Sequence, residues 1–390
     1  MLFKMVHLQR TLNLVNLLSK KSFFLFGPRA TGKTFLIKSS LDLDKVLYLN
    51  LLHNEVYSQL SIRPEILREL VEKKRNCECV VIDEIQRLPI LLNEVHALIE
   101  EKHIKFLLTG SSAHTLRRRG VNLLAGRAWE AQLYPLTWSE LAEHKDLGRY
   151  LQYGGLPAVY LSSYPEEELH SYVYTYLKEE IQAETFIRKI AAFSKFLQTA
   201  ALTSGQVLNF ANIASDTGIP ASTVREYYHI LEDTFLGFMV PAWTKTLKRK
   251  PVSKAKFYFF DIGVKNTLAQ ITHIDPKSDL FGQAFEHFIM LEVRAYLSYR
   301  RIRKTLSYWG STHGEEVDLI IGDEWAIEVK TTHAIQDKHL KNLKLLREEE
   351  ICQRYLCISF DPLTRSNSTI ELYYWEDFLR DLWADLLISS

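Results

Sequence analysis

Over its first third the chain alternates short runs of consecutive apolar residues with stretches whose apolar positions recur at helical spacing. Ser22 to Phe26, Lys45 to Leu49, Cys79 to Ile82 and Lys105 to Leu108 are too short for helices and mostly apolar on both faces, as in strands covered from both sides. Between them, segments such as Pro64 to Glu72 carry a helical period, which predicts parallel βα units. Ala128 to Leu133 reads as a further strand. From Leu141 to about Ala201 the strand pattern disappears and helical spacing takes over, with Tyr172, Tyr176, Ile181 and Phe186 along it. That aromatic stripe suits core packing better than base stacking. Tyr153-Gly154-Gly155-Leu156-Pro157 interrupts it with a turn.

After Gly205 the spacing predicts a helix-turn-helix. Val207, Leu208, Phe210, Ala211 and Ala214 make one apolar face, Asp216-Thr217-Gly218 the turn, and Pro220-Ala221-Ser222 the start of a second helix reaching about Asp233. Leu236 to Trp243 and Lys256 to Phe260 read as two strands. Near the C-terminus, Val317 to Ile321 and Trp325 to Lys330 are strands joined by a Gly322-Asp323 turn, and a helix near Lys338 to Glu348 precedes a strand at Arg354 to Ile358. The expected class is α/β, divided into a parallel-sheet domain over 1–140, a helical lid or connector over 141–204, a winged helix over 205–265 and an αβ domain over 266–390.

Composition narrows this only a little. The 390 residues suffice for two or three cores, and 47% hydrophobic with 24% charged residues excludes a disordered chain. A net charge of +1 argues against a uniformly basic nucleic-acid binder but leaves room for local basic patches. No apolar run approaches the ~18 residues of a membrane span, and Met1 to Arg10 lacks the apolar stretch of a signal peptide. A cytoplasmic protein without a membrane partner is expected. Cys77, Cys79, Cys352 and Cys357 show neither zinc spacing nor a disulfide framework and read as reduced thiols.

Chemistry enters at Gly27-Pro28-Arg29-Ala30-Thr31-Gly32-Lys33-Thr34, a complete G-x-x-x-x-G-K-[ST] phosphate-binding loop between a strand and a helix. Glycines let successive backbone N–H groups turn toward phosphate oxygens, and the helix N-terminus adds positive potential. Lys33 would reach the β and γ phosphates of ATP and Thr34 would offer its hydroxyl to Mg²⁺. The strand Cys79 to Ile82 ends in Asp83 and Glu84, suited to hold the ion and to deprotonate the attacking water, respectively. Thr109 or Ser111, after the next strand, would sense the γ phosphate; a helix cap or turn explains either residue nearly as well. Arg127, between Gly126 and an apolar run, is a better γ-phosphate contact than the Arg117 to Arg119 run.

The loop Gly27 to Thr34, Val81-Ile82-Asp83-Glu84-Ile85-Gln86, Leu108-Thr109-Gly110-Ser111-Ser112, Ala125-Gly126-Arg127 and Tyr153 to Pro157 together resemble a large family of prokaryotic AAA-superfamily ATPases. The resemblance implies a C-terminal part that combines a winged helix with a restriction-endonuclease-like fold. It also implies an arginine acting across a subunit boundary, and hence a homo-oligomer.

Two later features bear on DNA as a partner. Lys245, Lys248, Arg249, Lys250, Lys254 and Lys256 occupy the hairpin with no acid among them, and with Ser222, Thr223 and Arg225 they form a candidate DNA face; protein docking is the other use of such a module. Asp318, Glu328 and Lys330 form D-x9-E-x-K, with Glu328 and Lys330 on one face of a strand, where two carboxylates and Mg²⁺ or Mn²⁺ could cleave DNA. This resembles the PD-(D/E)XK nuclease pattern with Val317 in place of its proline, and Glu286 resembles the additional helical acid of such nucleases. Arg300, Arg301, Arg303 and Lys304 could meet phosphate or simply end a helix. The expectation is a Mg²⁺-dependent ATPase that binds and cleaves DNA. Its alternatives are an ATP-driven DNA-binding or assembly switch with an inert nuclease-like domain, and a scaffold or signalling ATPase that docks proteins.

Overall fold

The computed structural model describes residues 8–112, 116, 124, 126–177, 190–245, 252–350, 352–367 and 369–388. Arg117 to Arg119, Ala125, Ile181, Phe186 and Lys248 to Lys250 lie outside these residues, as does the side chain of Tyr176.

The apolar runs of the first third become strands β1 (Ser22–Phe26), β2 (Val46–Asn50), β3 (Cys79–Asp83), β4 (Lys105–Gly110) and β5 (Ala128–Gln132). All pair in parallel, in the order β2-β3-β4-β1-β5. Alternate side chains explain the uniform hydrophobicity. Phe24, Phe26, Val80, Ile82, Phe106 and Leu108 face one core, while Phe23, Leu25, Val81 and Leu107 face the other. With β4 between β1 and β3, the loops leaving these three strands emerge along one edge of the sheet, where parallel α/β sheets bind ligands.

Helices Leu147–Tyr153, Pro157–Tyr160, Pro165–Ser171 and Ile190–Leu202 follow, with a wider π turn at Tyr172–Leu177. Tyr172 is buried against Phe260, so this part of the aromatic stripe is core. The Tyr153 to Pro157 turn is a junction as well as a break. Asp261 accepts hydrogen bonds from the Gly155 N–H (2.8 Å) and the Val264 N–H (3.0 Å), and a Cβ on Gly154 would stand 2.2 Å from the Asp261 carboxylate. Only glycine lets the connector approach so closely.

Helix Phe210–Thr217 begins at Asn209, whose side chain accepts from the N–H groups of Ala211 and Asn212, and ends at Gly218 in the left-handed conformation. Helix Ala221–Asp233 and an antiparallel pair, β6 (Gly237–Val240) and β7 (Lys256–Phe259), complete the segment.

The last region is a six-stranded mixed sheet built from β8 (Leu306–Gly310), β9 (Glu316–Ile321), β10 (Trp325–Val329), β11 (Arg354–Ser359), β12 (Arg365–Asn367) and β13 (Ile370–Tyr374), in the order β12-β13-β11-β10-β9-β8. Helix Asp279–Tyr299 packs Phe285, Phe288, Ile289 and Val293 into a core shared with Leu319, Ile327, Leu356 and Trp375, and with Leu136, Trp138 and Tyr150 from the chain leaving the first sheet. Glu292 stitches the same junction, accepting from the Trp138 N–H (2.7 Å) and the Trp383 indole N–H (2.8 Å). Burial pushes its carboxyl up to about 8. Among the described residues no helix is long and apolar enough to cross a membrane.

Candidate functional site

The phosphate-binding loop leaves β1 through backbone that favours glycine. Gly27 has φ 149° and Gly32 has φ 90°, with Ala30 at 60° between them. A Cβ on Gly27 would come within 2.4 Å of the Leu133 carbonyl oxygen. Gly32 caps helix Lys33–Ser40 without a side chain, so the first-turn amides meet no competing side-chain acceptor there. The Thr31 hydroxyl donates to the Pro28 carbonyl (2.9 Å) and braces the loop. Lys33 folds over it, its ammonium donating to the carbonyls of Gly27 (2.6 Å) and Pro28 (2.9 Å).

Asp83, buried at the end of β3, receives three hydroxyls. Thr34 donates to Oδ2 at 3.0 Å, Tyr48 to the same oxygen at 2.5 Å, and Thr109 to Oδ1. Burial, followed by the bond to Asp83, pushes the Tyr48 phenol well above its ordinary range. Glu84 takes the left-handed conformation (φ 63°), which costs a non-glycine residue about 1 kcal/mol, and its N–H donates to the Thr109 hydroxyl at 3.1 Å. Its carboxylate accepts from the Gln86 amide and from the Ser111 hydroxyl at 3.5 Å. Thr34, Asp83, Glu84, Thr109 and Ser111 thus meet at one sheet edge, joined by contacts among the ends of β1, β3 and β4, with Lys33 lying on the loop that leaves β1.

Arg127 does not join them, which corrects the expectation for its own chain. It precedes β5, whose Ala128 pairs with Ser22 at the start of β1, so one strand length of about 16 Å separates it from the loop. Its guanidinium pairs with Glu100 instead. Three neighbours of the site escaped the sequence reading. Tyr48 and Gln86 touch the two acids, and Arg10 donates to the Thr31 carbonyl of the loop at 2.7 Å. Arg10 also pairs with Glu140 at 3.0 Å, with both side chains almost fully buried, and donates to the Tyr134 carbonyl. A polar ring tip in the middle of the apolar β2 was the available signal for Tyr48; Arg10 had none.

The expected DNA face is only partly assembled. Ser222 and Arg225 are exposed on helix Ala221–Asp233, with Thr223 half-buried and Arg225 over the Phe210 ring at 5.3 Å. Lys256, 2% exposed, points inward, which corrects its place in a solvent-facing basic run, while Lys245 is exposed and pairs with Asp323 at 2.5 Å. Lys254 is exposed. Farther on, Arg300 pairs with Asp385, Arg301 lies over Trp129, and Lys304 pairs with Glu324.

In the second sheet, the register that pairs Leu319 with Ile327 sets Asp318 beside Glu328. One oxygen of each is already in use. Asp318 accepts from the Val329 N–H at 2.7 Å, and one oxygen of Glu328 pairs with Lys330 at 2.5 Å while the other is buried without a hydrogen-bond partner. Glu286 accepts from the Tyr258 hydroxyl at 2.6 Å, with the Lys256 ammonium 3.7 Å away; that ammonium pairs with Glu316 at 2.5 Å. Burial and the charge of Asp318 raise Glu286 to about 7 and hold Glu328 well above the usual carboxylate range. Burial pulls Lys256 down, but the charges of Glu286, Glu316 and Asp318 outweigh it and hold the ammonium above the usual lysine range. Among the described residues no group of three or more His, Cys, Asp and Glu side chains is arranged to hold a metal ion. The acids Glu286, Asp318 and Glu328 converge, but the donors as placed do not fit an ion, which corrects that expectation.

Comparison with known proteins assigns residues 19–142 to an AAA domain, residues 144–275 to a domain of unknown function (DUF8612) and residues 281–367 to a second domain of unknown function (DUF4143). The chain therefore carries an AAA-type ATPase domain. It is 23% identical over 296 residues, 68% of this chain and 72% of the relative, to an uncharacterised protein of Haemophilus influenzae. Among solved structures it is similar to the Aeropyrum pernix ORC1 protein in complex with DNA (12% identity, 64% of this chain and 87% of that one, TM-score 0.27). It is also similar to the replication initiator DnaA bound to AMPPCP and single-stranded DNA (13% identity, 58% and 90%, TM-score 0.29). Likeness at these TM-scores carries no inference about function.

Proposed function

We propose that the chain is a Mg²⁺-dependent ATP hydrolase that acts as a nucleotide-driven switch on DNA. The observation that carries the enzymatic part is the convergence of the Thr34 and Thr109 hydroxyls on Asp83 beside the phosphate-binding loop, with Glu84 held next to them. Loop amides from Gly27 to Gly32 and the Lys33 ammonium would bind phosphate oxygens. The hydroxyl of Thr34 and the carboxylate of Asp83 are hard oxygen donors of the kind Mg²⁺ takes, and would hold it beside the phosphates; the ion supplies charge neutralisation when bound. Glu84, oriented by Gln86 and Ser111, would accept the proton of the attacking water. Thr109 ties the two acids together and so positions both.

Two substitutions test this. Lys33→Ala is expected to weaken ATP binding about 100-fold, the worth of about two charge-assisted hydrogen bonds. Glu84→Gln is expected to retain ATP while turnover falls by roughly 100-fold or more. Turnover by Glu84→Gln near the wild-type rate would remove Glu84 as the base.

For DNA, the support is the helix-turn-helix with Ser222 and Arg225 exposed, beside a hairpin whose sequence holds Lys248, Arg249, Lys250 and Lys254. Affinity for duplex DNA should fall steeply between low and moderate salt; a flat response would favour protein docking by the same module. A second reading, DNA cleavage by Asp318, Glu328 and Lys330, is favoured by the buried, unpartnered Glu328 oxygen and opposed by the lysines engaging the acids. Plasmid nicking in Mg²⁺ or Mn²⁺ that disappears in Asp318→Ala would establish it.

A further inference from the structure

Lys256 sits where the sequence gives no reason to expect a buried charge. β7 enters the molecule from the hairpin, pairs through Lys256 with Val240, and turns the Lys256 and Tyr258 side chains to one face, as residues two apart on a strand must. That face meets the acids of the second sheet and its helix. Glu286 comes from helix Asp279–Tyr299, while Glu316 and Asp318, again two apart, come from β9. The ammonium stands 2.5 Å from Glu316 and 3.7 Å from Glu286, over the Tyr308 ring at 5.0 Å, and Tyr258 closes Glu286 from the other side. A lysine 2% exposed would not remain charged without such partners, and the acids in turn would not stay ionised together without a cation.

We propose that Lys256 is the resident cation of this acidic cluster: its ammonium lies between Glu286 of the helix and Glu316 of β9, next to the strand position that carries Asp318, so the cluster takes up no Mg²⁺ or Mn²⁺ while Lys256 is present. The inference rests on the reading in which the second sheet does not cleave DNA. It assigns the cluster a different role, which is to fix β7 to β9 and to helix Asp279–Tyr299. Lysine suits this role because its ammonium is a compact point charge on a flexible stem, which fits between Glu286 and Glu316 without the planar fork that a guanidinium would impose.

Titrating the nucleotide-free full chain with Mn²⁺, and reading free Mn²⁺ by electron paramagnetic resonance, tests the inference directly. Wild type is expected to show no site tighter than about 1 mM, whereas Lys256→Ala gains one that is roughly tenfold tighter or better. Adding Asp318→Asn to Lys256→Ala should abolish that gain. Lys256→Ala that folds and takes up no Mn²⁺ would show that the lysine does not hold the ion's place, and wild-type uptake that Asp318→Asn removes would overturn the inference outright. The wild-type titration, compared with Asp318→Asn, decides even if Lys256→Ala does not fold, and a melting midpoint that about 10 mM Mn²⁺ moves equally in wild type and Asp318→Asn gives the same answer independently. Wild-type uptake without nicking sinks this inference alone; nicking lost in Asp318→Ala sinks the underlying reading with it.

Discussion

The chain sets acids beside a lysine and hydroxyls in both of its larger sheets, yet the two settings leave the acids in opposite conditions. In the first sheet Asp83 is surrounded by the hydroxyls of Thr34, Tyr48 and Thr109, all neutral, while Lys33 is turned away onto the loop carbonyls of Gly27 and Pro28. In the second sheet Glu316 and Glu328 each pair with an ammonium, and Asp318 caps a backbone amide. Hydroxyls satisfy lone pairs without neutralising charge, so a carboxylate ringed by them keeps its attraction for a cation. A carboxylate paired with lysine has already given up most of that attraction. Whether an acid can serve a metal is therefore decided by the charge of its neighbours more than by its own identity or the motif that contains it.

The largest effect that would sharpen this contrast comes from exchanging equivalent residues. Asp83→Asn is expected to lower ATP turnover by roughly 100-fold or more, because the charge at the Mg²⁺ position is lost, whereas Asp318→Asn leaves turnover within about twofold of wild type. A comparable loss from both would mean that the second sheet takes part in hydrolysis. Next in size are the neutral donors. Thr109→Val removes the one hydroxyl that joins Asp83 to the Glu84 amide and should lower turnover about tenfold; Tyr48→Phe removes a single bond to Asp83 and should cost about two- to fivefold. If Tyr48→Phe costs more than Thr109→Val, the phenol rather than the threonine positions the acid.

The difference between the two sheets also marks how far the residues alone could be read. The first sheet was legible because its function-bearing residues are local. The loop Gly27 to Thr34 is contiguous, Asp83 and Glu84 end an apolar strand, and parallel strands buried on both faces leave an unmistakable run of hydrophobic residues. Tyr48 and Arg10 were not legible because their contacts depend on strand order and on a segment 124 residues from its partner Tyr134. In the second sheet the positions of Asp318, Glu328 and Lys330 followed from strand periodicity, but their chemistry did not. Lys256 lies in a basic run whose local pattern points to solvent, and only the fold turns it inward onto Glu316. Helix Trp375–Trp383 does carry a helical period, with Trp375, Phe378, Leu379 and Leu382 buried, but it is only nine residues long, and β12 spans three, so neither stood out from its neighbours.

A smaller effect belongs to the junction between the sheets. Glu292 and Asp261 are buried carboxyls raised to about 8 and about 6. Groups raised in the folded state bind protons more tightly there than in the unfolded chain, so their contribution is complete below the unfolded carboxyl range and is lost as pH rises through about 6 and about 8. Thermal stability should therefore decline between pH 5 and pH 8, and Glu292→Gln should flatten that decline above pH 6 more than it changes stability at pH 5. A slope of the same steepness in Glu292→Gln would show that the junction does not carry it.

The smallest expected effect concerns Arg127. Its strand begins where β1 begins, about one strand length from the phosphate-binding loop, and its guanidinium is engaged by Glu100 on the helix that leads into β4. An exposed pair of this kind contributes less than ~1 kcal/mol, so Arg127→Ala should leave both stability and the turnover of dilute protein nearly unchanged, within about twofold. If turnover instead falls about tenfold, Arg127 must reach the nucleotide of a neighbouring copy, because no rearrangement of a parallel strand carries its first residue to its last. Measuring specific activity against protein concentration separates the two cases. In the trans arrangement activity per chain rises with concentration in wild type and stays low throughout in Arg127→Ala, while in a self-sufficient chain both remain flat and superimposable.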